Sequence, residues 1–123
     1  MSLLDCDRTM SISLLYMAAI FSISAQSNPP LPYGISGGNF ILHMVEYAIL
    51  GILLSWALVN SGVTRRNALY VFLMGLFYGM IDELHQYFVP QRTASLLDLT
   101  ADGLGSLLGS YSFHILRSTK STT

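Results

Sequence analysis

Residues 40–59 read FILHMVEYAILGILLSWALV, an apolar run interrupted only near its start by His43 and Glu46. At about 1.5 Å of rise per residue, a helix of about 20 residues crosses the roughly 30 Å hydrocarbon layer of a bilayer. The run therefore predicts a membrane span with two ionisable side chains in its first turns. The whole chain agrees in composition: 52% of its 123 residues are apolar and 11% are charged, against roughly 25% charged residues in an ordinary soluble domain. That length holds one compact bundle of about four spans.

Upstream, residues 10–25 form a shorter apolar run behind Arg8, closed by a Pro-, Gly- and Ser-rich stretch at 26–38. It reads as a first span. A cleavable signal sequence is the rival, because Ser22 and Ser24 stand at cleavage spacing behind an apolar core. Downstream, residues 68–81 are apolar until Asp82 and Glu83. They cover only about 21 Å of the layer, so the third helix is extended to residue 88, ahead of Pro90, with both acids inside the outer leaflet. The fourth span is placed at 94–116, where Ala101, Gly105 and Gly109 recur every four residues as a face for close helix packing. Arg8, Arg65, Arg66, Arg117 and Lys120 fall on one side of this arrangement and Arg92 alone on the other. The positive side faces the cytoplasm. The reading is one all-α domain over residues 1–123, a multi-pass four-helix bundle of the inner membrane with spans at 10–25, 40–59, 68–88 and 94–116 and both termini cytoplasmic.

Three of these helices bring polar residues to the same outer layer. His43, Glu46 and Tyr47 are spaced i, i+3, i+4; Asp82 and Gln86, and Asp98 and Asp102, are spaced i, i+4. With Glu83, Arg92 and Ser95 they make up the candidate ligand-binding set. A charge at bilayer depth costs at least a few kcal/mol, so ionisable residues there are read as functional. The bland alternative is a set of ion pairs and mutual hydrogen bonds that only hold the bundle: Arg92 pinning its loop to Asp98 or Glu83, His43 bonded to a carboxylate. Tyr47, Tyr78, Tyr87 and Trp56 read as interface or core aromatics, and His114, far from the acids, is given no chemistry. Five carboxylates facing one arginine repel one another unless some keep a proton, a cationic ligand group binds, or a divalent cation neutralises them. Glu46, Asp82, Glu83 and Asp98 are the candidate metal ligands.

The motifs H-x-x-E-Y at 43–47, Y-G-x-x-D-E-x-x-Q-x-F-x-P-x-R-x-x-S-x-x-D at 78–98 and the glycines through Gly109 resemble the VanZ-like family of small membrane proteins over residues 12–116. That family is named for a protein associated with low-level resistance to the glycopeptide teicoplanin. The resemblance implies a multi-span envelope protein in which His43, Glu46, Asp82, Glu83, Gln86, Pro90, Arg92, Ser95 and Asp98 occupy the family's polar positions. Asp102 departs from the pattern, since an asparagine is usual there. Asn39 and Phe40 stand where the family often has an acid and a lysine.

The leading functional expectation is a pocket that binds, and alters or merely holds, an amphipathic envelope ligand: a lipid-linked precursor, a phospholipid head group or a lipoglycopeptide. Arg92 is the anion contact in that reading, as an always-charged planar fork. A second expectation is a hydrolase or transferase acting on a lipid-linked phosphate, although the chain has no G-x-S-x-G, H-E-x-x-H or phosphate loop. A third is an ion or proton pathway, against which the nearly unbroken apolar inner half of the second and third spans argues, or a small subunit that pairs with another membrane protein through the Ala101, Gly105, Gly109 face; an oligomer is the other partner expectation. Nucleic acid is set aside, because the net charge is −1 and no Lys/Arg run occurs. Cys6 is the single cysteine, so no internal disulfide exists.

Overall fold

The computed structural model describes residues 3–24, 38–89 and 96–121, which form four helices and no strand. They are α1 (Leu3–Ser24), α2 (Gly38–Asn60), α3 (Asn67–Tyr87) and α4 (Leu96–Ser121). The α1 helix starts before the apolar run at 10–25, and α4 continues beyond residue 116.

The link between α2 and α3 is short and explicit in its hydrogen bonds. Val63 N–H donates to Leu58 O at 2.8 Å and Gly62 N–H to Val59 O at 3.0 Å, with Gly62 at φ 90°. This pair of bonds satisfies the last carbonyls of α2 and needs a left-handed residue at the position glycine fills. Four residues later Arg66, also left-handed at φ 56°, starts α3. Buried Asn67 then ties three helices together: its amide donates to Ser55 O at 3.2 Å and Val63 O at 2.9 Å, and its oxygen accepts from His114 Nε2 at 2.9 Å. At the far end of α3, Phe88 and Val89 N–H groups bond back to His85 O and Gln86 O at 3.1 and 3.0 Å, closing the helix just ahead of Pro90.

Small residues set the helix spacing. A Cβ at Gly105 would strike the carbonyl oxygen of Met44, one at Gly109 that of Ala48, and one at Gly51 that of Ser106. Backbone therefore lies against backbone along α2 and α4, and Ser55 Oγ donates to Ser110 Oγ at 2.7 Å across the same seam. On its other side α4 meets α3 in the same way, with Gly75 facing the Ser106 side chain and Gly79 the Asp102 side chain. The Gly105 and Gly109 face is thus taken up inside the chain by α2, and in this fold it is not free to pair with another protein. The α1 helix packs against α2 and α3. Tyr16 OH donates to Glu46 O at 2.8 Å, Ser13 Oγ to Leu53 O at 3.2 Å, and Tyr78 OH to Met17 O.

The distribution of polarity is inverted relative to a water-soluble core. Ile20, Tyr47, Leu50, Leu54 and Val71 form a small apolar centre. Around it Thr9, Ser13, His43, Ser55, Asn67, Asp82, Glu83, Gln86, Asp98, Asp102, Ser106 and Ser110 are buried, while Leu15, Ile41, Phe77, Leu84, Leu108 and Ile115 are exposed. Of the four expected spans, only Phe40–Asn60, with a hydropathy of 1.8, is long and apolar enough to cross a membrane on those two criteria among the described residues. In α3 and α4 the inward polar residues lower the average along the chain, and in α1 the exposed Asp5, Asp7 and Arg8 do so.

Replacing Gly105 or Gly109 by alanine is expected to cost about 1–3 kcal/mol, as overpacking against a rigid backbone does. Gly103→Ala should cost less, because its new methyl meets only movable side-chain carbons of Leu76 and Phe72 at 3.1 and 3.2 Å. Thermal unfolding of the purified protein in detergent, followed by circular dichroism, ranks the three.

Candidate functional site

The start of α2, the end of α3 and the start of α4 meet at one end of the bundle, and each brings polar side chains to the junction. Helical spacing puts them there: His43 and Tyr47 share one face of α2, Gly79, Asp82, Glu83 and Gln86 one face of α3, and Asp98 and Asp102 one face of α4. All of these side chains are buried, His43 at 2% and Asp102 at 0% exposure.

His43 is the centre of the group. Its Nδ1 hydrogen-bonds Asp102 Oδ1 at 2.7 Å and lies 4.0 Å from Glu83 Oε1, while its Nε2 lies 3.8 Å from Asp98 Oδ2. Both edges of the imidazole therefore face carboxylates from two other helices. Gln86 Nε2 donates to Asp82 Oδ2 at 3.4 Å, a long bond within α3. The room for Asp102 comes from Gly79, where a Cβ would sit 2.7 Å from Asp102 Oδ2. Ser106 Oγ donates to the Asp102 main-chain oxygen at 2.9 Å and so supports the same turn of α4.

Electrostatics limit what this arrangement can be. Glu83, Asp98 and Asp102 stand around a single imidazole and Asp82 lies near Asp102, so even a protonated His43 leaves excess negative charge if all four are ionised. In a medium of low effective dielectric such repulsion is strong. Shared protons or a bound cation must supply the balance. Chemically the group offers an imidazole nitrogen beside carboxylate oxygens, a set suited to proton transfer and to ligation of a metal ion.

The described residues of the expected set come together unevenly. His43, Asp82, Glu83, Gln86, Asp98 and Asp102 are buried at the junction, whereas Glu46 is half-buried, with its main-chain oxygen accepting from Tyr16 on the α1 side. Arg92 and Ser95 lie outside the described residues. Of the four carboxylates proposed as metal ligands, only Glu83 belongs to the group whose ligand atoms converge, which is His43, Glu83 and Asp102, all within 4.8 Å of one another. The ligand atoms converge on the histidine, which a set drawn from carboxylates alone leaves out. Tyr47, an interface or core aromatic by its sequence, is fully buried, and its hydroxyl has no hydrogen-bond partner among the described residues. Its place four residues after His43 is the signal of that position. Gly75 and Gly79, also four apart, form a glycine face on α3 opposite Ser106 and Asp102 of α4, legible only once the two helices are paired.

Beside this cluster runs a groove of about 520 Å³ between α3 and α4, lined by Phe77, Met80, Leu84, Tyr87, Leu96 and Leu99, with Glu83 at its polar edge.

The VanZ/LLP1 family model matches residues 4–117. The chain belongs to the VanZ/LLP1 family. No curated protein and no solved structure matches it. Family membership and geometry meet in the H-x-x-E-Y and D-E-x-x-Q segments, whose His43, Asp82, Glu83 and Gln86 all reach the buried junction. Asp102, where the resemblance implies an asparagine, is the carboxylate that His43 Nδ1 hydrogen-bonds at 2.7 Å.

Removing one member of a buried hydrogen-bonded charged pair typically costs about 3–5 kcal/mol, and Asp102→Ala is expected to fall in that range. Combining it with His43→Leu should cost clearly less than the sum of the single changes, with a coupling of about 1–3 kcal/mol. A double-mutant cycle of unfolding midpoints measures this, and a coupling near zero would contradict the pairing.

Proposed function

We propose that this chain is a multi-pass membrane protein of the cell envelope that holds an amphipathic molecule. The polar head of that molecule sits at the His43 cluster and its apolar part in the groove between α3 and α4. The observation that carries the reading is the double position of Glu83, which edges the apolar groove and lies 4.0 Å from His43 in the polar cluster. A molecule with both characters is the one that fits both surfaces at once.

The membrane part of the reading is supported by the inverted polarity. Large apolar side chains are exposed on all four helices while acids, serines and an asparagine are buried. Without water outside, helices gain little from burying leucine and associate instead through close small-residue contacts and polar groups. The glycine contacts of α4 are of that kind. The Lys and Arg distribution supports termini on the cytoplasmic side and the cluster in the outer leaflet. The ligand classes are a lipid-linked precursor, a phospholipid head group or a lipoglycopeptide such as teicoplanin, and Arg92 is the anion contact the sequence offers.

Two measurements test this. Native mass spectrometry of the protein extracted with its own lipids is expected to show retained phospholipid, reduced about tenfold when Leu84→Trp and Met80→Trp fill the groove, a loss equal to about 1.4 kcal/mol. In cells challenged with teicoplanin, Asp82→Asn and Arg92→Gln, expressed at normal levels, are expected to abolish any protection the chain confers. Lipid retention indifferent to the groove substitutions would remove the acyl-chain part of the reading, and unchanged protection would remove the drug part.

A further inference from the structure

We propose that His43, Glu83 and Asp102 form a mononuclear site for a divalent transition-metal ion of the zinc or manganese class. One nitrogen and two carboxylate oxygens from three different helices converge with their ligand atoms within 4.8 Å. In a tetrahedral site with bonds of about 2.0–2.1 Å, ligand atoms stand about 3.3 Å apart. The Nδ1 of His43 lies 2.7 Å from Asp102 Oδ1 and 4.0 Å from Glu83 Oε1, so the two separations bracket that value. Opening the first pair by roughly 0.6 Å and closing the second by about 0.7 Å brings both carboxylates to ligand spacing from Nδ1. An ion there takes the position of the proton that His43 and Asp102 now share.

A second observation points to the same place. Tyr47 is fully buried, its hydroxyl has no hydrogen-bond partner among the described residues, and it stands near enough to Asp102 and Asp82 for their charges to act on it. Asp102 Oδ2, equally buried, also lacks a hydrogen-bond partner there. Buried polar atoms are almost always satisfied. A buried hydroxyl within the electrostatic reach of Asp102, and the second oxygen of Asp102 itself, both unsatisfied, fit a centre that carries a metal ion and its water.

The donor set selects the ion. Calcium and magnesium prefer oxygen throughout, with six or more ligands for calcium and an octahedron rich in water for magnesium. An imidazole with two carboxylates suits zinc, manganese or ferrous iron. With Nδ1 on the metal, His43 Nε2 lies 3.8 Å from Asp98 Oδ2, close enough for a small shift to make that carboxylate the outer hydrogen-bond partner such ligands usually have. The ion supplies positive charge where three carboxylates stand around one imidazole, and its remaining position is open to a phosphate or carboxylate oxygen.

The test uses the full chain in detergent, stripped of lipid and treated with chelator, then titrated with cobalt(II) chloride as a spectroscopic probe. The wild type is expected to take up one ion per chain with visible ligand-field absorption, and zinc to displace it stoichiometrically. Uptake should vanish in His43→Gln and Asp102→Asn and weaken about 10–100-fold in Asp98→Asn, the outer partner. It should persist in His114→Gln, at the opposite end of the bundle. Absence of uptake by the wild type overturns the site without recourse to any variant, as does uptake that survives His43→Gln. Displacement of cobalt by magnesium or calcium as readily as by zinc overturns the assigned class. Because the titration is made on delipidated protein, its failure is separate from failure of the ligand reading, which is measured as retained lipid.

Discussion

Close backbone contact on both sides of α4 is the constraint from which the rest of the structure follows. Gly105 and Gly109 press on carbonyls of Met44 and Ala48 in α2, and Gly75 and Gly79 of α3 receive the side chains of Ser106 and Asp102. A helix held this closely by two neighbours leaves no room for large side chains at the seam, so the residues that fill it are small or polar. It also fixes the register. With Met44 set against Gly105, His43 is brought to Asp102, and with Gly79 set against Asp102, the next turn of α3 carries Asp82 and Glu83 to the same level. The polar cluster is a consequence of helix spacing before it is a matter of charge.

The same packing explains why average hydropathy describes these helices poorly. In α3 and α4 the polar residues lie inward and the outward faces carry Phe77, Leu84, Leu104, Leu108 and Ile115. A window average sums both faces and reports neither. Helix α2, whose polar residues are fewer, is the one that passes. The stabilising terms are correspondingly local: serine-to-serine contact at Ser55 and Ser110, and the Asn67 bridge among α2, α3 and α4 at the end opposite the acids.

Much of this was legible in the sequence, and the limits are physical. An all-helical chain of four elements followed from apolar runs broken by Gly, Pro and charge, and the i, i+4 spacings placed Asp82 with Gln86 and Asp98 with Asp102 on shared faces. Periodicity, however, describes one helix at a time. It could not show that His43 pairs with Asp102 across 59 positions of sequence, that the Glu46 main-chain oxygen accepts from Tyr16 of α1, or that Tyr47 is fully buried. The glycine face of α4 was visible, but its partner was open to interpretation: the spacing fits a second protein as well as it fits α2. Arg66, a left-handed residue that is neither glycine nor asparagine, gave no signal at all, because its conformation is imposed by the Schellman turn before it and by Asn67 after it.

Four buried acids share one end of the bundle with a single histidine, three of them beside its ring. Stability does not require them. Buried ionic groups replaced by apolar residues of similar volume often leave a protein as stable or more so, since desolvation offsets most of their attraction. Here the imbalance of sign makes the electrostatic case weaker still, because one imidazole can satisfy at most part of the surrounding charge. The glycines at 75 and 79 could equally have received small apolar side chains from α4. Instead Gly79 receives a carboxylate whose other oxygen is bonded to His43, and Glu83 stands between that cluster and an apolar groove. A group assembled from three helices at the edge of an apolar groove, with more acid than its one histidine can balance, is the feature on which the proposed binding role rests.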